Sequence, residues 1–149
     1  MIWLLRHGDA ADGAADAERP LTEKGVAQAM AAGRALAALG VRIDACLTSP
    51  RLRALDTARH ACQALGVQPE VERALDGDPF DAAALAAGRG EVLLVGHNPS
   101  LPVALGDLTG ARVRLRKGGL AAVANGELVL LVAPAQLRAI ADGAGSGAR

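Results

Sequence analysis

Three short polar segments, far apart in the chain, carry the residues best suited to chemistry. They are residues 6–8 (Arg-His-Gly), 48–50 (Thr-Ser-Pro) and 96–98 (Gly-His-Asn), and Arg51 and Arg53 follow the second segment closely. Guanidinium groups and imidazoles dominate this set, and no matching set of carboxylates accompanies them. This composition favours an anion with several oxygens, of which a phosphoryl group is the commonest. Imidazole is largely neutral near pH 7, so a histidine here is able to attack phosphorus.

Each polar segment follows a stretch that is typical of a buried β-strand. Residues 2–5, 41–48 and 91–95 are short and rich in apolar residues, as strands of a parallel sheet are. The carboxyl ends of parallel strands lie at one edge of a sheet, where ligands bind in open α/β proteins. We therefore expect the three polar segments to converge on one pocket.

Helices are predicted between these strands. Thr22 as N-cap and Gly40 as stop delimit the first helix, whereas Ser49 as N-cap, Pro50 in the first turn and Gly66 as stop delimit the second. Weaker patterns predict a loop over residues 9–20, a strand near 67–75, a short helix over 80–87 and a helix near 101–108.

The pattern after Gly110 alternates and predicts β-structure. Val113 and Leu115 begin it, and two strand-like runs, residues 120–124 and 127–132, then flank an Asn-Gly pair, which is the strongest short signal for a hairpin. The predicted fold class is α/β: a three-layer sandwich with a mostly parallel central sheet, helices on both faces and an antiparallel C-terminal hairpin.

Length and composition bound the possible functions. The 149 residues suit a single domain, residues 1–149, with a disordered tail over 142–149. Sixteen basic and sixteen acidic residues balance, which argues against nucleic acid and membrane partners. The apolar start is too short for a signal peptide, and no stretch approaches the roughly 20 apolar residues of a membrane span. We therefore expect a cytoplasmic protein with Cys46 and Cys62 reduced.

The polar segments resemble the motifs of the histidine phosphatase superfamily. The matching residues, in the order and spacing of the small phosphatases of that superfamily, are Leu5 to Gly8, Thr48 to Ala54 with Thr57 and Ala58, and Val95 to Pro99. Residues similar to those of SixA-type phosphohistidine phosphatases are Asp9 and Ala10, Arg19 to Thr22, and Lys117 to Gly119. The resemblance covers nearly the whole chain and implies a phosphoglycerate mutase-like fold.

The resemblance implies a catalytic role for four of these residues. His7 is the expected nucleophile, which carries the phosphoryl group until water releases it, and its other ring nitrogen is expected to donate to a backbone carbonyl. Arg6, Arg53 and His97 are expected to bind the equatorial oxygens of the phosphoryl group.

Other residues are candidates for substrate contacts. Arg51 is expected at the rim, where it helps substrate docking or is simply exposed and solvated. Gly8, Ser49 and Asn98 are candidate substrate-binding residues, although an N-cap role explains the hydroxyl of Ser49 about equally well. His60 falls within the second helix and is expected to be a surface or packing residue.

The proton donor bears on the substrate. Larger relatives that cleave phosphate esters carry an acid after the third strand, where this chain offers only Asp76, and Asp78 beside it, in a segment that also suits a turn. An alkoxide leaves badly unless protonated, whereas the imidazole of a phosphohistidine leaves easily once its ring takes a proton. We therefore predict a phosphohistidine phosphatase without metal or cofactor, acting on a phosphorelay domain or a phosphocarrier protein.

Two alternatives remain open. One is a phosphatase for a small phosphate ester that uses Asp76 as general acid. The other is a phosphoprotein-binding module without turnover, against which the presence of both His7 and His97 argues, because a binding module does not need a nucleophile.

Overall fold

A six-stranded sheet forms the centre of the molecule. The computed structural model describes residues 1–147. Its strands are β1 Ile2–Arg6, β2 Ala45–Thr48, β3 Pro69–Val71, β4 Val92–Gly96, β5 Leu120–Ala124 and β6 Glu127–Val132. They lie in the order β3-β2-β4-β1-β5-β6. Pairing is parallel from β3 to β1 and antiparallel from β1 to β6, so the predicted parallel sheet and C-terminal hairpin are confirmed.

Helices cover both faces of this sheet. They are α1 Glu23–Ala38, α2 Leu52–Leu65, α3 Ala82–Ala86, α4 Ser100–Thr109 and α5 Pro134–Gly147. Side chains of β1 alternate between the two faces: Trp3 and Leu5 pack with α1, α2 and α5, whereas Leu4 packs with α3 and α4. The predicted three-layer α/β architecture is therefore confirmed.

Glycines let α1 lie unusually close to its neighbours. A Cβ atom at Gly25 would collide with the carbonyl oxygen of Asp9, and one at Gly33 would collide with the carbonyl oxygen of Ala61 in α2. Gly8 in turn packs against the backbone of Gly25. The first turn of α1 therefore supports the loop that follows β1.

Two predicted boundaries differ in the structure. Strand β2 begins at Ala45 rather than at residue 41, because Val41 completes the end of α1 by donating its backbone N–H to the carbonyl of Leu36. Helix α2 begins at Leu52 with Arg51 at the N-cap position and no side-chain cap, so the prediction of Ser49 as N-cap was wrong. By contrast, the hydroxyl of Thr22 caps α1 as predicted.

The C-terminal segment folds where a tail was expected. Helix α5 continues through Gly147, so residues 142–147 are helical, and residues 148–149 lie outside the described part of the chain. Leu137 is fully buried and Ile140 packs against the same core, which anchors a helix that the sequence pattern alone did not predict. None of the helices within residues 1–147 is long and apolar enough to cross a membrane. Cys46 and Cys62 are both buried and free.

Candidate active site

Two of the three polar segments line one cavity, and Arg51 and Arg53, which follow the remaining segment, line it as well. Strands β1, β2 and β4 end at this edge of the sheet, and the segments that follow them contribute to a cavity of about 380 Å³, which we call the anion cavity. Its lining residues are Arg6, His7, Arg19, Arg51, Arg53, Gly77, Asp78, His97, Asn98 and Lys117. Five of these side chains are cationic and one is a carboxylate, so the cavity favours an anion.

His7 is held in one orientation at the end of β1. Its backbone N–H donates to the carbonyl of Gly96 at 3.1 Å, and its Nδ1 lies 2.7 Å from the carbonyl oxygen of Gly8. A carbonyl oxygen only accepts, so the proton is on Nδ1 and the lone pair is on Nε2. Gly8 is fixed in turn, because its N–H donates to Thr57 Oγ1 of α2 at 3.0 Å. The predicted backbone partner for the ring is therefore present.

Burial and positive charge keep both histidines of the cavity neutral. Burial lowers the pKa of His7 to about 4, and the charges of Arg53 and Arg6 act in the same direction against the hydrogen bond to Gly8. Burial, followed by the nearby His7 and Arg53, lowers the pKa of His97 to about 3. The two rings lie 5.3 Å apart between centroids, at 54° to each other. At neutral pH His7 is therefore an uncharged imidazole with a free lone pair.

Ser49 contacts His97 rather than capping a helix. Its Oγ lies 2.7 Å from His97 Nε2 and also accepts the backbone N–H of Arg51 at 3.2 Å. Asn98 Nδ2 donates to the carbonyl of Leu115 at 3.0 Å. Ser49 thus contacts the ring of His97, and Asn98 contacts the backbone of Leu115. The backbone of Gly8 joins His7 to Thr57.

Three buried nitrogen atoms of the site lack a partner. Within residues 1–147, the buried side-chain polar atoms without a hydrogen bond are Arg6 Nε, Arg53 Nε and His97 Nδ1. Buried polar groups are normally paired, and leaving one unpaired costs about 1–3 kcal/mol. All three atoms belong to residues that line the anion cavity. The two arginine nitrogens are donors, and His97 Nδ1 is one when Nε2 accepts from the hydroxyl of Ser49; oxygens of a bound anion are suitable acceptors for such donors.

Asp16 belongs to the site although no pattern in the sequence indicated it. Its backbone carbonyl accepts from Arg53 Nη1 at 2.7 Å, and its Oδ2 accepts from Arg53 Nη2 at 3.3 Å and from Arg51 Nη1 at 2.8 Å. The Arg53 guanidinium lowers the pKa of this carboxyl group. Asp16 begins a short 3-10 helix, Asp16–Glu18, within the segment that was predicted only as a loop.

Arg51 connects Asp16 to Asp76. Arg51 Nε donates to Asp76 Oδ1 at 2.8 Å, and Nη2 donates to the backbone carbonyl of Asp76, also at 2.8 Å. The alternative of a merely solvated Arg51 was therefore wrong, because its guanidinium is bound on two sides. Asp76 follows a short 3-10 helix, Arg73–Leu75, and Asp78 rather than Asp76 lines the anion cavity.

Two other expectations concern residues away from these contacts. His60 is half-buried in α2 and does not line the anion cavity. Among residues 1–147 no group of His, Cys, Asp and Glu side chains is placed to hold a metal ion. The absence of a metal or cofactor in the reaction stays a prediction.

Comparisons with known proteins identify the family. Residues 2–77 match the model of the histidine phosphatase superfamily, branch 1. An uncharacterized protein of Picosynechococcus is 35% identical over 159 aligned residues, which cover 89% of this chain and 96% of the relative. The chain therefore belongs to the histidine phosphatase superfamily.

Solved structures narrow the resemblance to one type within the superfamily. The protein histidine phosphatase SixA in complex with tungstate is 27% identical, with a TM-score of 0.80 over 91% of this chain and 98% of that one. A protein assigned as the phosphohistidine phosphatase SixA of Agrobacterium tumefaciens is 26% identical, with a TM-score of 0.75 over 89% and 97%. The SixA-type resemblance and the phosphoglycerate mutase-like fold are confirmed.

Proposed function

We propose that this protein removes a phosphoryl group from a protein histidine through a covalent intermediate on His7. The observation that carries the proposal is that Arg6, Arg53 and His97, each with a buried nitrogen that lacks a partner, line the same cavity as His7. A phosphoryl group has three terminal oxygens, which would give these nitrogens partners. The charge on those oxygens would face two guanidinium groups.

The first step follows from the tautomer of His7. The Nε2 lone pair forms a bond to phosphorus while the bond between phosphorus and the substrate imidazole breaks. When the other ring nitrogen of the substrate carries a proton, that ring departs as a neutral imidazole. No acid from the protein is then needed, and the proposal gives no role as proton donor to Asp78, the carboxylic acid in the lining of the anion cavity.

The second step restores the starting state of the protein. Phospho-His7 keeps its proton on Nδ1, where Gly8 accepts it, so the ring is a protonated phosphoimidazole. Water attacks phosphorus, its protons stay with the phosphate or pass to solvent, and the bond to Nε2 breaks. His7 returns as the same neutral tautomer.

Exposed charged residues at the rim of the anion cavity favour a protein as the substrate. Asp16 and Asp76 are exposed there, and Arg51 between them is 30% exposed. A phosphohistidine on the surface of a folded phosphorelay domain or phosphocarrier protein would reach His7 across this rim. We propose a cytoplasmic location for the reaction, because such partners are found there.

The test is turnover of phosphohistidine proteins compared with simple phosphate esters. The purified protein should release phosphate from a phosphohistidine protein with a kcat/KM at least about 100-fold above that for esters. A denaturing quench at alkaline pH, which preserves phosphohistidine, should trap label on the wild type. The variant His7→Gln should show neither label nor turnover.

Each rival predicts a different result. Faster hydrolysis of esters, with loss of that activity in Asp76→Asn, would show an ester phosphatase. Binding of a phosphoprotein without label on His7 and without phosphate release would show a binding module.

A further inference from the structure

A second cavity adjoins the anion cavity and is strongly basic. It has a volume of about 600 Å³ and shares Arg6, Asn98 and Lys117 with the anion cavity. We call it the basic groove. Its charged lining residues are Arg6, Asp9, Lys24, Arg114, Arg116 and Lys117.

The cations of the basic groove are largely uncompensated. The chain as a whole has net charge +0, yet this groove combines five cationic side chains with one carboxylate. That carboxylate, Asp9, accepts from Thr22 at 2.9 Å and lies 3.5 Å from Lys117. Lys24, Arg114 and Arg116 are exposed and, within residues 1–147, form neither an ion pair nor a side-chain hydrogen bond. Their charge is therefore available to an external acidic group.

The backbone of Arg114 and Arg116 is held in a fixed position relative to His7. They flank Leu115, whose side chain is buried and whose carbonyl accepts from Arg6 Nη1 at 3.2 Å and from Asn98 Nδ2 at 3.0 Å. Since Leu115 points into the core, the side chains on either side of it lie on the outer face.

The turn that follows Arg116 is hydrogen-bonded to the end of β1. The N–H of Gly118 donates to the carbonyls of Arg6 and His7 at 3.1 and 2.9 Å, and the N–H of Arg6 donates to the carbonyl of Gly119 at 3.1 Å. Gly118 has φ +75°, and a Cβ there would press against Gln28 at 2.9 Å. The basic groove is thus held at a fixed distance from His7.

We propose that the basic groove binds acidic side chains that surround the phosphohistidine on the partner protein. This proposal rests on the proposed function. Cations spread over a wide, exposed surface match an acidic protein face better than a second small anion, because none of Lys24, Arg114 and Arg116 is buried around a common point. The groove would orient the partner so that its phosphohistidine enters the anion cavity.

The test compares a protein substrate with a small one. The double variant Arg114→Glu with Arg116→Glu should lower kcat/KM for a phosphohistidine protein by about 10- to 100-fold and leave turnover of phosphoimidazole within about twofold. The matched control, Arg34→Glu with Arg42→Glu, makes the same change of charge at exposed arginines outside the groove and should leave both substrates within about twofold. Added salt should slow the wild type on the protein substrate more than it slows the groove variant.

The outcomes separate this proposal from the proposed function. Equal loss on both substrates, or no loss on the phosphoprotein, would overturn the docking role while the wild-type turnover still supports the proposed function. Failure of the wild type on every phosphohistidine protein, with activity on esters, would overturn both. The neutral pair Arg114→Gln and Arg116→Gln, with a thermal unfolding curve, guards against loss through misfolding.

Discussion

The ring of His7 donates through Nδ1 to the carbonyl oxygen of its own neighbour, Gly8, at 2.7 Å. This bond places the lone pair on Nε2 without help from a carboxylate. In the proposed mechanism it also removes the need for a separate base, since the neutral ring is already the nucleophilic form.

The pH dependence of His7 should be shifted to acid. Its pKa lies at about 4, so the neutral form persists as the pH falls from 8 until it approaches that value, whereas an unshifted imidazole would be half protonated near pH 6.5. Ring ¹⁵N shifts of His7 should therefore show an unprotonated Nε2 at pH 6 and a midpoint near 4. A midpoint near 6.5, or a proton on Nε2 at pH 7, would contradict the assigned tautomer and environment. The acid limb of kcat/KM should lie in the same range.

Arg53 and Arg51 should differ in their effect on turnover. The side chain of Arg53 is 6% exposed and lies in the anion cavity, so Arg53→Ala should lower kcat/KM by roughly 100-fold or more. Arg51 is bound to two exposed carboxylates, and Arg51→Ala should cost about tenfold or less. Arg53→Lys keeps the charge without the planar fork and should fall between them. Equal losses for both alanine variants would be evidence against the assignment.

The two aspartates after Leu75 should matter little for phosphohistidine. Asp76 is held by Arg51, Asp78 lines the anion cavity, and a leaving imidazole can carry its own proton. We therefore expect Asp76→Asn and Asp78→Asn each to keep phosphohistidine turnover within about threefold of the wild type. A loss above about 30-fold in either variant would mean that an acid in this turn protonates the leaving group.

Glycines of α1 should not tolerate a methyl group. Gly33→Ala should lower the free energy of unfolding by about 1–3 kcal/mol or more, because the new atom meets the backbone of Ala61. Gly25→Ala should also lower kcat, since the displaced backbone at Asp9 adjoins Gly8 and His7, the proposed nucleophile. The control is Gly106→Ala in α4, where the nearest atom would be 3.5 Å away and the stability should hold or rise. Urea unfolding and steady-state kinetics of the three variants check this.

Much of the site was predictable because its residues follow directly from strand ends. A buried apolar run that stops at a polar residue marks the carboxyl edge of a parallel strand, and this placed His7 and His97 at one cavity. The stop of α2 was equally clear, since Gly66 adopts the left-handed conformation that ends helices.

The contacts that were missed depend on residues distant in sequence. Asp16 lies in a segment without period, and only the folded chain brings it to Arg53, 37 residues away. Helix α5 ends in glycine, alanine and serine residues, a composition that favours a frayed tail, whereas in the folded chain the buried side chain of Leu137 anchors the helix to the core. For Ser49 the local pattern suited a helix cap, but α2 begins only at Leu52 and the hydroxyl of Ser49 contacts His97, 48 residues away in the sequence.

Asp16 contacts both Arg51 and Arg53, so in the protein without ligand its carboxylate competes with incoming anions for these two guanidinium groups. An anion that displaces Asp16 gains only a difference in electrostatic energy. That difference is between the anion's attraction to the two guanidinium groups and the attraction that the Asp16 carboxylate already has to them. Chloride or acetate, with one charge, gains little from such an exchange. A phosphoryl group with two charges and three terminal oxygens gains far more, so we expect the exposed carboxylate of Asp16 to favour a phosphoryl group over monovalent anions at these two arginines.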